Sequence, residues 1–233
     1  MTAFRALRAQ VPWRPRFAEE HAVFAAVRGP ASLFETLAAF PSPEQIHERL
    51  SPLAGVSFVR APERRVGPRS LDSLYDGAIH THRTVPTRSG SWHDLLNALV
   101  WAIHPRAKWS LHARQFELVR LGLDPATGRL PGARTREQDA LALFDEGGLV
   151  VESPEPLTSG AAIEESVAAG RARAVVFGHA IYEGFVLGSA WPMVRAIVVA
   201  GDPDESVALR LADREASITP EDLPRVRLME LFR

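Results

Sequence analysis

Hydrophobic positions along this chain recur with helical spacing more often than in alternation. The densest case is SWHDLLNALVWAI, from Ser91 to Ile103, where Leu95, Leu96, Ala98, Leu99, Val100, Ala102 and Ile103 spread over more than half of a helix circumference. Pro105 suits the first position of a second helix running to about Leu121. Upstream, the segments around Phe17–Val27, Ala31–Phe40 and Pro43–Leu50 read as short helices separated by proline. Ser42 before Pro43 and Glu44 gives the third a cap and a start signal. Leu71 to Arg88 reads as extended or irregular, with IHTHRTV alternating like a strand.

Downstream, REQDALALFD predicts a helix ending at DEGG, where two glycines stop it and turn the chain into a strand, LVVE. TSGAAIEESVAAG predicts a helix capped by Ser or Thr and stopped by Gly170. MVRAIVVAG is the best buried strand, GDPDESVALRLA a turn followed by a helix, and RAVVFGHAIYEGFVLG fits either type. DPATGRLPGART is a turn-rich connection. With no repeat and no low-complexity linker, the expected fold is α+β and predominantly helical, with a small sheet, in a single compact domain over residues 1–233. Its helical N-terminal portion covers 1–70, its motif-bearing core 71–188, and a C-terminal strand and helix 189–233.

Composition narrows the chemistry. The 233 residues are 46% hydrophobic and 24% charged with a net charge of −1, the profile of a soluble globular protein without an overall basic field for nucleic acid. There is no cysteine, which excludes disulfides, thiolate metal sites and cysteine nucleophiles. Any divalent metal (zinc, manganese or magnesium) would have to be held by His, Asp and Glu. No run approaches the roughly 20 apolar residues of a membrane span, and MTAFRALRAQVPWRPRF has no long apolar core, so a cytoplasmic, membrane-free protein is expected. The basic loop RAPERRVGPRS reads as solvated surface, with an anion site as the alternative. Among 27 basic residues, Lys108 is the only lysine.

The polar residues of the Ser91–Ile103 helix form a narrow stripe. With His93 at zero, His104 falls at about 20°, Asn97 at about 40°, Trp101 at about 80° and Asp94 at about 100°. An unpaired buried polar group costs about 1–3 kcal/mol, so something must face this stripe. One reading is structural, with His93 and Asn97 stitching the helix to its neighbours. The other makes His93 a general base or metal ligand oriented by Asp94 or another carboxylate. His104 before Pro105 suits a cationic cap at the helix end.

A second cluster is VVFGHAIYEG. His179 and Glu183 share a face if the segment is helical, Tyr182 lies beside them, and Gly178 lets another backbone approach. His-x-x-x-Glu can ligate a metal or make a plain intrahelical hydrogen bond. A third cluster holds Asp139, Asp145 and Glu146; the last two oppose the helix dipole unless a cation compensates. His80 and His82 in IHTHR form a weak His-x-His pair on one side of a strand.

Four ordered segments, VPTRSGSWHDLLNALVW, HPRAKWSL, DALALFDEGG and VVFGHAIYE, together with the Tyr75–Asp76 pair, resemble the bacterial family known as domain of unknown function 3025. The resemblance spans about Tyr75 to Glu183. It implies that Arg88, His93, Asp94, Asn97, Lys108, Asp139, Asp145, Glu146, His179 and Glu183 are the positions that matter, and it names no reaction. Where the family usually has an aromatic, this chain has His104; where asparagine is usual, it has His112; and an arginine often found after the tyrosine–acid pair is replaced by Ala78. The resemblance therefore treats both histidines as incidental.

The reading of function is a hydrolase-like enzyme, possible only if these clusters converge. His93, Asp94, Asn97, Asp145 and Glu146 are its candidate catalytic residues. Arg88, Lys108 and Tyr182 are candidates for binding an anionic, phosphate-containing small molecule, and His93, His179 and Glu183 for ligating a metal. The alternative is a non-catalytic ligand-binding or interaction protein whose polar motifs form a buried hydrogen-bond network.

Overall fold

Two turns of 3-10 helix, Phe17–Glu19 and Ala22–Phe24, and the short helix α1 (Arg28–Ser32) begin the ordered path of the chain in this computed structural model, which describes residues 11–62, 70–124, 126–130, 132–189 and 193–232. The longer helices predicted over Phe17–Val27 and Ala31–Phe40 are thus replaced by single turns. Short isolated helices are marginal, and this segment is held by its aromatic side chains. Phe17 and Trp13 pack on Trp92 at ring separations of 5.0 and 5.3 Å, and Phe24 stacks on Tyr182 at 5.4 Å. Helix α2 (Pro43–Ala54) starts as predicted, with Ser42 and Gln45 forming a reciprocal capping box, and runs one turn further than expected to the left-handed Gly55.

Strand β1 (Ser57–Arg60) then pairs in parallel with β2 (Thr84–Thr87) across helix α3 (Tyr75–His82). The extended reading of Leu71–Arg88 fails over α3. The alternation of IHTH covers only one helical turn, too short to separate the two periods. Arg83, in the left-handed conformation with φ 52°, ends α3 and releases the chain into β2. His80 and His82 therefore point away from each other. His80 stacks on Phe116 at 4.3 Å, His82 is exposed, and the His-x-His pair dissolves. Most of the basic loop after Arg60, residues 63–69, lies outside the described residues.

Helix α4 (Trp92–Ile103), capped by Ser91, and helix α5 (Pro105–Leu121), opened by Pro105, follow the predicted boundaries. Helix α6 (Arg136–Gly147) feeds directly into β3 (Gly148–Glu152), as the paired glycines predict. Helix α7 (Gly160–Ala168) leads to β4 (Arg173–Val176), helix α8 (His179–Val186), β5 (Met193–Val199), helix α9 (Pro203–Ala212), β6 (Arg225–Arg227) and the terminal turn α10 (Leu228–Leu231). The ambiguous segment thus divides at Gly178 into strand and helix.

The main sheet has the order β4-β3-β5-β6, parallel between β3 and β5 and antiparallel at both edges. β3 reads as a continuous apolar run because α6 and α9 pack on the sheet and Leu149, Val150 and Val151 are fully buried. One hydrophobic core extends from Phe17 to Leu228. The architecture is α+β and mostly helical, with 52% helix against 13% strand. Helix α4 lies at its centre, against α2 on one side and α8 on the other.

His104 departs from its predicted role. It is 4% exposed, both ring nitrogens lack a partner among the described residues, and it packs 5.4 Å from Phe177. Burial pushes its pKa down to about 4, Asp202 opposing and Lys108 and Arg173 adding to the shift. It is a neutral core residue, not a cationic cap. Between pH 6.5 and 4 the unfolded chain holds a proton here that the folded chain lacks, so stability is lost as the pH drops through that window, by about 3 kcal/mol in total, and is regained above it. His104→Phe should flatten that fall and raise the melting temperature at pH 5 by about 5 °C. Parallel pH profiles of thermal unfolding for the two proteins would refute the assignment.

Candidate functional site

Lys108 is fully buried on the second turn of α5, and its ammonium needs acceptors in reach. It donates to Asp145 Oδ1 at 2.5 Å and to Asn97 Oδ1 at 2.8 Å. Burial alone would push the Asp145 carboxyl up, but Lys108, with His112 and His179, more than reverses this and holds it well below the usual carboxylate range. The acid that opposes the α6 dipole is thus compensated by a lysine. It also means that Lys108 serves Asp145 and Asn97 rather than a substrate anion.

The remaining stripe of α4 faces other acids and imidazoles. His93 Nδ1–H donates to Glu183 Oε2 at 3.0 Å, and its Nε2 lies 3.0 Å from His179 Nε2. Two ring nitrogens so placed share either one hydrogen or one cation. Glu146 Oε2 is 3.5 Å from His179 Nε2. Donor atoms of His93, His179 and Glu146 all lie within 4.8 Å of one another, an arrangement that could hold a metal ion. Burial holds His179 well below its ordinary pKa, Lys108 and His93 adding and Asp145 opposing, so its ring is neutral and keeps a lone pair for a ligand. Burial and the Asp145 charge raise Glu146. The predicted ligand Glu183 stands behind His93 and orients it, and Glu146, predicted as catalytic, supplies the carboxylate.

Gly178 makes this convergence possible. A Cβ there would lie 2.5 Å from the Glu146 carbonyl oxygen and from Gly148 N. With no side chain in the way, Phe177 N and Gly178 N both donate to Gly148 O, at 3.0 and 2.9 Å. The start of α8 is thereby clamped to the end of α6, bringing His179 to Glu146.

These residues wall a pocket of about 450 Å³, within the usual range of ligand sites. His93, Asp94, Asn97, Asp145, Glu146, His179 and Arg88 all line it. Asp94 accepts from Arg88 Nε at 2.8 Å, Arg88 Nη2 at 2.6 Å and Arg88 N at 2.7 Å, so it anchors the arginine rather than acting as a base. Tyr182 does not reach the pocket: it is fully buried and donates to the Val176 carbonyl at 3.1 Å. Asp139 sits exposed in the first turn of α6, remote from Asp145.

Five polar lining residues escaped the sequence reading as site residues: Tyr75, Asp76, His112, Gln115 and Arg134. His112 is far from incidental. It is buried, bonded through Nδ1 to Asp76 Oδ1 at 2.8 Å, and stacked on Trp101. The tyrosine–acid pair was visible as a motif, but nothing in its spacing tied it to His112. Gln115 and Arg134 carried no signal.

Removing one partner of a buried ion pair costs about 3–5 kcal/mol, whereas replacing both with apolar residues is often tolerated. Asp145→Asn should therefore lower the melting temperature by about 10 °C, and Lys108→Met combined with Asp145→Leu should recover most of the loss. Calorimetric unfolding checks this; equal destabilisation by the single and double variants would show that the pair's charges do not matter.

No helix among the described residues is long and apolar enough to cross a membrane. No curated protein and no solved structure matches the chain. A family model matches residues 56–220, beyond the motif-bearing stretch on both sides, taking in β1 and all of α9. By that match, which covers most of its length, the chain belongs to the family described as "Protein of unknown function (DUF3025)".

Proposed function

We propose that this protein is a metal-assisted hydrolase acting on a small anionic, phosphate-containing substrate. The observation that carries the reading is the convergence of His93, His179 and Glu146 on the wall of the pocket, with donor atoms within 4.8 Å of one another. Two imidazoles and one carboxylate suit zinc, manganese or iron, and three protein ligands leave a position open, as catalytic rather than structural sites do. The residues fit such an ion in a second respect. Glu183 accepts the Nδ1 hydrogen of His93, which fixes the tautomer with Nε2 as the ligating atom, the usual outer-sphere arrangement of metal-bound histidine.

A divalent ion bound there would polarise the scissile group and lower the pKa of a bound water. The chain's own residues do the rest. Glu146, its side chain about half exposed, faces the pocket and supplies the accessible carboxylate. Arg88 is locked by Asp94 through Nε and Nη2, which leaves Nη1 directed to solvent or substrate. Arg134 on the same wall adds a second guanidinium, and paired arginines suit the planar oxygens of a phosphate or carboxylate. Lys108 stays beneath the floor and contributes a fixed positive charge.

A second reading, a non-catalytic ligand-binding or interaction protein, draws support from the mutual saturation of Lys108, Asp145 and Asn97. Metal content and turnover separate the two. Full-length protein should bind about one manganese or zinc ion per chain; His179→Ala should abolish this, and Glu183→Gln should weaken it about 10- to 100-fold. Hydrolysis of a chromogenic phosphomonoester should require the ion. Unaltered folding, no metal uptake and no hydrolysis would overturn the proposal in favour of the second reading.

A further inference from the structure

The hydrogen bonds above Lys108 have only one possible direction. An ammonium has donors and no acceptor, so the Asn97 atom at 2.8 Å from Nζ is the amide oxygen. The amide nitrogen is then fixed on the opposite side, and it donates to the Tyr75 hydroxyl oxygen at 2.8 Å. Tyr75 O thus accepts, and its own hydrogen has no acceptor among the described residues. Tyr75 and Asn97 both line the pocket, alongside Arg88.

From this geometry we infer that Tyr75 is a substrate-binding residue, its O–H turned into the pocket by the one-way chain Lys108–Asn97–Tyr75 to donate to a charged oxygen of the substrate. The inference rests on the anionic-substrate reading above and deepens it. The chain does two things. It orients the phenol without consuming its donor, and it strengthens that donor, since hydrogen bonds in series from a cation polarise one another. Burial of the hydroxyl, then the charges of Asp145, Asp94 and Asp76, with Asn97 opposing, raise the phenol's pKa well above its usual value, so the hydrogen stays in place at neutral pH. A phenol O–H differs here from the arginines of the wall. It is a neutral donor on a fixed ring, packed 5.5 Å from His112, and selects position rather than charge.

The test is titration of inorganic phosphate into manganese-loaded full-length protein by calorimetry. Tyr75→Phe keeps the ring and loses only the hydroxyl; it should weaken phosphate binding at least about tenfold with manganese content unchanged, while losing the Asn97 acceptor lowers the melting temperature by only a few degrees and leaves the protein folded at the temperature of the titration. Asn97→Asp provides a second route. It keeps the side chain's shape but offers only acceptors, so the phenolic hydrogen is drawn back from the pocket and a comparable loss is expected. The doubly substituted chain should bind no more weakly than the weaker single variant. If the unaltered protein binds phosphate and Tyr75→Phe binds it equally well, the role of Tyr75 is overturned and the anionic-substrate reading stands. If the unaltered protein binds none, that reading fails and the role of Tyr75 with it.

Discussion

A single buried ammonium organises this molecule. Lys108 is fully removed from water, and a charge so placed is tolerated only where acceptors surround it. Its acceptors come from two other helices, Asn97 from α4 and Asp145 from the end of α6, so α4, α5 and α6 are pinned at one point. The consequences reach the pocket by covalent adjacency. Placing Asp145 places Glu146, the next residue, on the wall. Placing Asn97 fixes the rotation of α4, and His93, one helical turn earlier, comes to face the same space. The ammonium also settles an electrostatic conflict, since two acids at the end of α6 would otherwise oppose its dipole. Lysine suits the position better than arginine. The site needs a compact point charge with donors in several directions, not a planar fork, which gives the chain's only lysine a physical reason.

The second constraint is an approach of backbones. Helix α6 passes into β3 without a loop, and β4 passes into α8 at Gly178 in the same place. The two junctions share the carbonyl of Gly148, which accepts from both Phe177 and Gly178. His179 begins its helix at that contact, within reach of Glu146 and of His93 across from it. The pocket is therefore built at a crossing of helix ends held by main-chain hydrogen bonds. Its donor atoms owe their positions to rigid elements rather than to loops, the arrangement a precise site requires.

Much of this was legible in the sequence, for reasons that can be named. Helix α4 carried a long apolar period, Pro105 marked the start of α5, and the paired glycines at 147 and 148 marked the junction after α6. The polar stripe on α4 announced that partners must exist. What could not be read was their identity. Glu183, expected beside His179 as a ligand, bonds His93 Nδ1 instead, and Glu146 is the carboxylate that lies near both imidazoles, because which acid reaches which ring nitrogen depends on a few ångströms of tertiary placement. Lys108 read as an anion binder because burial cannot be inferred from an isolated cation. Tyr182 read as part of the site because residue numbering placed it beside Glu183; the helix turns it into the core against Phe24. Helix α3 was missed because one turn of alternating residues fits either period, and with it went the chance of joining Tyr75 and Asp76 to Asn97 and His112.

The pocket's polar groups are mostly committed to one another. Arg88 is tied to Asp94, His112 to Asp76, His93 to Glu183 and Lys108 to Asp145, each cation or potential cation against one carboxylate. Such pairing fixes the direction of the lone pairs and hydrogens left over on these side chains. A site of this kind pays its reorganisation when the chain folds, so that a charged ligand meets dipoles already in place, which is the condition under which electrostatic stabilisation is largest. The proposed function uses the far ends of these pairs: His93 Nε2 beyond Glu183, Arg88 Nη1 beyond Asp94, and the Tyr75 hydrogen beyond Lys108 and Asn97. On that proposal each is aimed by a partner that the substrate does not touch, so fewer residues touch the substrate than define the site.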